Sequence, residues 1–213
     1  MPGNSWSIKR SIIEYYDRLA DIYDSLYGGE QKAKIKVIFK VMNVEAGRLV
    51  LDIGCGTGLL MEYLVADSGC LVGVDLSVKS LRRARERLRR LGAEQDVLLI
   101  RADAENLPFR SEVFDKIFAL TLLQNTPSPR RALREIIRVA KDKSQAIVTG
   151  LRKYFTIDEF RGLISSFGEY ELFPESHDFI AVLKVDKQRI NIGSEKNRMG
   201  EQYAYSWKSL KGW

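Results

Sequence analysis

Histidine is almost missing from this chain. Its 213 residues hold one, His177, and only two cysteines, Cys55 and Cys70. Two cysteines give no disulfide framework and suit a reducing compartment, so a cytoplasmic protein is expected. His177 stands in "PESHDF" between two strand-like stretches and reads as a surface-loop residue. No metal site is expected. No apolar run is long enough to cross a bilayer, and the chain does not open on the charged-then-apolar pattern of a secretory signal. A membrane partner is therefore not expected. Internal repeats and low-complexity linkers are also missing, which predicts one domain with appended ends. Hydrophobic residues at 45% and charged residues at 29% are ordinary for a globular protein of a length that can bury a proper core.

What is present alternates. Short apolar runs at 48–53, 71–76, 96–101, 114–120 and 145–151 read as strands. Between them lie helical spacings: Leu59, Leu60, Tyr63 and Leu64; Leu81, Ala84, Leu88 and Leu91; Leu133, Ile136, Ile137 and Ala140. Near-continuous apolar strands separated by amphipathic helices predict an α/β fold, a mostly parallel sheet with helices on both faces. The end differs. A helix over 156–167 precedes two strands, 169–175 and 178–185, whose short link predicts an antiparallel pair.

The stretch "LVLDIGCGTGLL" (49–60) places Gly54, Gly56 and Gly58 directly after a strand and before a helix. A glycine loop there lets backbone approach a ligand closely. The dinucleotide fingerprint needs its third small residue one place later, and no Gly-Lys-Ser/Thr follows, which excludes a phosphate loop. Three acids stand at the carboxyl ends of successive strands. Asp52 can order the loop or meet an amino-bearing ligand, Asp75 can accept from vicinal ribose hydroxyls, and Asp103, with the Ala104 amide beside it, suits an adenine edge. Singly, each could be a cap or turn residue. As three in a row they point to a ligand at that edge.

"LVLDIGCGTG", "VGVDLS", "RADAENLPF" and "FDKIFALTLLQNTPSPRRALREIIRVAK" resemble, in order, the motifs of class I S-adenosylmethionine-dependent methyltransferases. The resemblance covers roughly residues 30–185. It implies a seven-stranded sheet in the order 3-2-1-4-5-7-6 with strand 7 antiparallel. It implies S-adenosylmethionine as cofactor, its ribose on Asp75, its adenine on Asp103 and its methionine end on the glycine loop. Asp52, Cys55, Leu76, Ala104 and Leu120 complete the implied cofactor-binding set. The methyl donor is already activated, so the protein mainly aligns nucleophile, methyl and sulfur. Residues 1–45, with "EYYDRLADIYDSLYGGEQKAK", resemble the family's helical lid. Tyr16, Ala20, Tyr23 and Tyr27 share a face, and Gly28-Gly29 offers a hinge. Residues 46–185 are then the cofactor-binding core and 186–213 a basic-aromatic extension.

The acceptor is less legible. The nearest likeness is to the quinone-biosynthesis and small-molecule branch, but its histidine stretch is replaced by Leu122-Leu123-Gln124-Asn125-Thr126-Pro127 and its "KPGG" turn by "KDKS". Asn125-Thr126-Pro127 is loosely similar to a motif that orients exocyclic amines; a turn before helix 130–140 explains it equally well. Asn125 and Tyr23 are the candidate catalytic residues. The net charge of +6, the arginine-rich 79–90 segment and the tail bearing Tyr203, Tyr205 and Trp207 suit phosphate contact and base stacking. The arginine run also reads as a solvated helix face. The expected acceptor is a base nitrogen in ribosomal or transfer RNA, with RNA or a ribosomal particle as partner. The alternatives are a small-molecule, quinone-precursor-like acceptor and a non-catalytic cofactor-binding protein.

Overall fold

The computed structural model describes residues 5–42, 48–66, 68–173 and 178–189. Two helices, α1 (Ser5–Leu19) and α2 (Tyr23–Val41), precede the sheet. Then follow β1 (Leu49–Ile53), α3 (Met61–Leu64), β2 (Cys70–Asp75), α4 (Val78–Arg90), β3 (Val97–Arg101) and β4 (Phe114–Ala119). The chain continues through α5 (Pro129–Val139), β5 (Ala140–Leu151), α6 (Ile157–Ile164), β6 (Glu169–Phe173) and β7 (Asp178–Lys184). The strands form one sheet in the order β3-β2-β1-β4-β5-β7-β6. Pairing is parallel from β3 to β5, and β7 runs antiparallel to both β5 and β6. This is the order and the strand direction that the motifs imply.

Burial explains the layers. β1 is buried over Val50–Ile53 and β7 over Asp178–Leu183, as strands covered on both faces must be. Leu133, Ile136 and Ile137 of α5 and Phe160 of α6 pack with Phe114 and Ile117 on one face. On the other, Ile35 and Ile38 of α2, Met61 and Leu64 of α3 and Leu88 of α4 pack with Val50, Leu71 and Phe118. Two of the helices that cover the sheet are also capped locally. Ser77 caps α4 by accepting from the Ser80 amide at 3.0 Å. Thr156 and Glu159 form a reciprocal capping box on α6.

Three sequence expectations need correction. Gly28-Gly29 is not a hinge: α2 runs through both glycines, and the break lies at residues 20–22. The apolar stripe of α2 buries Ile35 and Ile38, and that tertiary burial outweighs the roughly 1 kcal/mol that each interior glycine costs a helix. Leu59 and Leu60 are buried but stand in turns, because the left-handed Gly58 delays helix α3 to Met61. Strand β5 begins at Ala140, immediately after α5, five residues ahead of the apolar run; a register shift between Phe114 and Lys116 absorbs the irregular start. The position of His177 and the tail aromatics Tyr203, Tyr205 and Trp207 lie outside the described residues.

Candidate functional site

The carboxyl ends of β1, β2 and β4 meet the loop after β1. Gly54, Gly56 and Gly58 adopt φ of 74°, 53° and 79°, a region other residues reach only with strain. The Gly54 and Cys55 amides donate to the Val74 carbonyl at 2.8 and 3.0 Å, which sets the loop across the end of β2. The Gly56 amide donates to Asp75 Oδ2 at 2.9 Å, and the Ser77 amide to Asp75 Oδ1 at 2.8 Å. Asp75, rather than Asp52, therefore orders the loop. Burial raises the Asp75 pKa, and the two amides counter that rise.

Asp52 is buried at the end of β1, and its Oδ2 has no hydrogen-bond partner among the described residues. Burial, with the nearby Asp75 charge adding to it, pushes its pKa up to about 8. Cys55 is buried beside it, and burial also raises its thiol pKa, which keeps it protonated and inert. Gly54, Gly56, Asp75, Leu76, Asp103, Ala104 and Leu120 line one cleft of about 100 Å³. Asp52 and Cys55 line an adjoining hollow that shares Gly54, Gly56 and Leu120 with it. Gly58 lines neither. A Cβ there would lie 3.1 Å from the Ala84 Cβ, so this glycine serves the close approach of loop and α4.

Asp103 is not alone at its end of the cleft. Lys9 of α1 donates to Asp103 Oδ2 at 2.6 Å and lies 2.9 Å from Glu105 Oε2. Burial acts to lower the Lys9 pKa, but the hydrogen bonds to both carboxylates outweigh it and raise the value. Further polar contacts carry α1 and the start of α2 across the loop and α4. Ser77 Oγ donates to Asp17 at 2.5 Å, Thr57 Oγ1 donates to Asp24 at 2.6 Å, and Arg87 pairs with Asp24 and Glu62. Arg83 pairs with Asp21 and Glu86. Much of the arginine run is thus neutralised by carboxylates instead of presenting bare charge.

Asn125 and Tyr23, the candidate catalytic residues, both reach the cleft, and Thr121 brings the surroundings of Asn125 into order. Thr121 adopts φ 57°, strained for a β-branched residue. Its carbonyl accepts from Asn125 Nδ2 and Gln124 Nε2, both at 2.8 Å. Its amide donates to Thr149 Oγ1 at 2.8 Å, and its hydroxyl accepts from Lys34 Nζ at 2.7 Å and Gln31 Nε2 at 3.2 Å. Lys34 also forms a buried ion pair with Asp178 at the start of β7. Beyond Thr121 opens a cavity of about 310 Å³ walled by Tyr15, Tyr16, Tyr23, Tyr27 and Tyr154. Tyr16, Tyr23, Thr121 and Asn125 line both this cavity and the cleft, so the two spaces are contiguous.

Residues that the sequence did not single out therefore shape much of the site: Lys9, Gln31, Lys34, Thr121, Tyr154 and Asp178. No metal-binding group of His, Cys, Asp and Glu occurs among the described residues.

The site can be set beside known proteins. A family profile described as a methyltransferase domain matches residues 51–148. A demethylmenaquinone methyltransferase of Lactobacillus johnsonii is 32% identical over 140 residues, 62% of this chain and 57% of that protein. A phosphatidylethanolamine N-methyltransferase of Cereibacter sphaeroides is 33% identical over 138 residues, 65% of this chain and 66% of that protein. The matches span about half to two thirds of these relatives' own length. A crystal structure of a SAM-dependent methyltransferase from Aquifex aeolicus superposes with a TM-score of 0.61 at 19% identity, covering 71% of this chain and 89% of that one; at that identity the likeness is one of fold.

Proposed function

The chain belongs to the class I S-adenosylmethionine-dependent methyltransferases, and we propose that it methylates a small molecule seated in the tyrosine-walled cavity. The observation that carries the acceptor reading is the continuity of that cavity with the cleft through Tyr16, Tyr23, Thr121 and Asn125. The relatives named for demethylmenaquinone and phosphatidylethanolamine support the same class of acceptor.

The residues present fit the cofactor, S-adenosylmethionine. The orphaned, buried Asp52 Oδ2 suits an ammonium group, which would supply the missing hydrogen bond. Asp75 would hold the ribose hydroxyls on the lone pairs its two amide bonds leave over, and Asp103 the adenine amino group. Leu76, Ala104 and Leu120 would give the apolar walls between them. When bound, the cofactor supplies a methyl group already activated by a sulfonium. What remains for the protein is alignment and exclusion of water. Asn125 Nδ2 is committed to the Thr121 carbonyl, so its Oδ1 is the atom left to accept from an acceptor N–H or O–H. Burial keeps the Tyr23 phenol protonated, with its pKa raised, so it acts as wall and donor and not as a base.

A base nitrogen in RNA draws on charge that α4 pairs in part, through Arg83 and Arg87, and on a tail outside the described residues. The small-molecule reading is therefore the better supported. The test supplies methyl-labelled cofactor with a metabolite extract in one arm and with total RNA or ribosomal particles in the other. Label in an extractable small molecule supports the proposal. Label confined to RNA, with binding that falls steeply with salt, would establish the nucleic-acid acceptor instead. Bound cofactor with label in neither arm would mark a non-catalytic binding protein.

A further inference from the structure

We propose that the tyrosine-walled cavity takes an amine, and that the reaction is N-methylation. This rests on the small-molecule reading of the same site.

The walls favour a cation. Tyr15 and Tyr16 stand 5.2 Å apart, Tyr16 and Tyr23 6.2 Å, and Tyr23 and Tyr27 5.1 Å between ring centroids, none of them in parallel stacking. Such tilted clusters turn some π faces outward, and the face of an aromatic ring attracts positive charge. One ring of the wall already carries a cation: Lys153 Nζ lies 5.5 Å from the Tyr154 centroid. Among the described residues Lys153 and Glu30, both exposed, put one positive and one negative charge on the lining, which leaves those residues no net charge to bind an anion.

The chemistry favours nitrogen for a second reason. An enol or phenol acceptor must lose its proton to a base as it reacts, and the anion formed needs a cation beside it. Among the described residues Glu30 is the only carboxylate of the lining, and it is exposed. The phenols do not serve as bases: burial pushes Tyr15 up to about 12 and raises Tyr23 further. Lys34, the buried cation behind Thr121, is spent on Asp178, and the exposed Lys153 lies over the Tyr154 ring. An amine needs no cation beside it, and it meets the first need in bulk water, outside the site. It enters after giving a proton to water, and its lone pair forms the nitrogen–carbon bond while the carbon–sulfur bond breaks, leaving that pair on sulfur. The positive charge passes to nitrogen, between ring faces that hold it, and the excess proton leaves to water at the mouth. Asn125 Oδ1, fixed through Thr121, accepts one N–H and so aims the lone pair.

The test uses the full chain with the demethylated cofactor bound and compares two probes by calorimetry: choline, and its neutral carbon isostere 3,3-dimethyl-1-butanol. Choline should bind at least about ten-fold tighter. Tyr27→Leu and Tyr154→Leu should each weaken choline by about ten-fold, and Tyr27→Phe by less than about three-fold, since the ring face persists. Unchanged cofactor affinity in the same variants reports that they fold. Equal affinity for the two probes, no binding of either, or equal losses for Phe and Leu would overturn the inference. In the metabolite arm, labelled product should be retained on a cation exchanger. Label in a non-basic product sinks the amine alone, whereas no small-molecule label sinks the reading beneath it.

Discussion

Lys9 and Asp103 are 94 residues apart in the chain and 2.6 Å apart in the fold. The ammonium that ties α1 to the strand edge sits on the carboxylate proposed to receive the adenine. Cofactor entry and seating of the first helix therefore draw on one group.

Lys9→Met should weaken folding by up to about 3 kcal/mol, because it leaves Glu105 buried without its cation. Urea unfolding checks this, and Lys9→Met with Glu105→Gln should recover part of the loss. The sign with pH is fixed by the raised Lys9 pKa: the stabilisation is complete below 10.5 and is lost as pH rises through the higher folded-state value. The same substitution should speed cofactor release in stopped-flow exchange. Unaltered release would show that α1 does not gate the cleft.

Asp75→Ala should abolish measurable cofactor binding, and Asp75→Asn should weaken it by at least about 1.5 kcal/mol, since a charged acceptor for two loop amides becomes a neutral one. Calorimetry with a far-ultraviolet circular dichroism control separates this from misfolding. Asp75→Ala binding within a few-fold of wild type would remove Asp75 from the cofactor site.

Asp52, with a pKa pushed up to about 8, holds a proton at pH 7. An ammonium brought beside its carboxylate lowers that value, so cofactor binding at pH 7 should release a proton. Affinity should rise with pH toward about 8. Calorimetric enthalpies in buffers of different ionisation heat measure the release directly, and Asp52→Asn should abolish it. In the free protein the sign for stability is the opposite. The raised pKa means that the folded state holds the proton more tightly, so this group costs stability progressively as pH rises from 3.8 to about 8.

Asn125→Ala should lower turnover by about 10²-fold while cofactor affinity stays within a few-fold, because the acceptor loses its orienting group. Tyr23→Phe, which keeps the ring, should cost turnover less than Tyr23→Leu. Single-turnover rates at saturating cofactor check both. Parallel losses in cofactor binding would move these residues out of the acceptor site.

The cofactor edge was legible because its signals are local. Three glycines and three strand-end acids carry their meaning within a few residues of sequence, and strand order follows once each strand is placed. The arginines of 79–90 read as a solvated face, which Arg82, Arg85, Arg89 and Arg90 are, whereas Arg83 and Arg87 tether the N-terminal helices. Lys9 was invisible: nothing in "SWSIKRS" separates it from its neighbour Arg10, and its partners lie on a distant loop. Thr121 was hidden for another reason. A left-handed threonine runs against its own preference and is held there by its own following turn and by α2 and β5, which reach it only in the folded chain. The hinge was misplaced because a glycine pair weakens a helix only where tertiary burial does not rescue it.

The buried pair of Lys34 with Asp178 joins an early part of the chain to a late one. Every residue proposed to grip the cofactor has been synthesised by the time Leu120 emerges. The floor of the acceptor cavity is not complete until β7 arrives, because Lys34, which braces Thr121, has no counter-charge in the ion pair until Asp178 docks beside Leu151. A nascent chain halted between these points would carry the means to hold its methyl donor before it had anywhere to spend it.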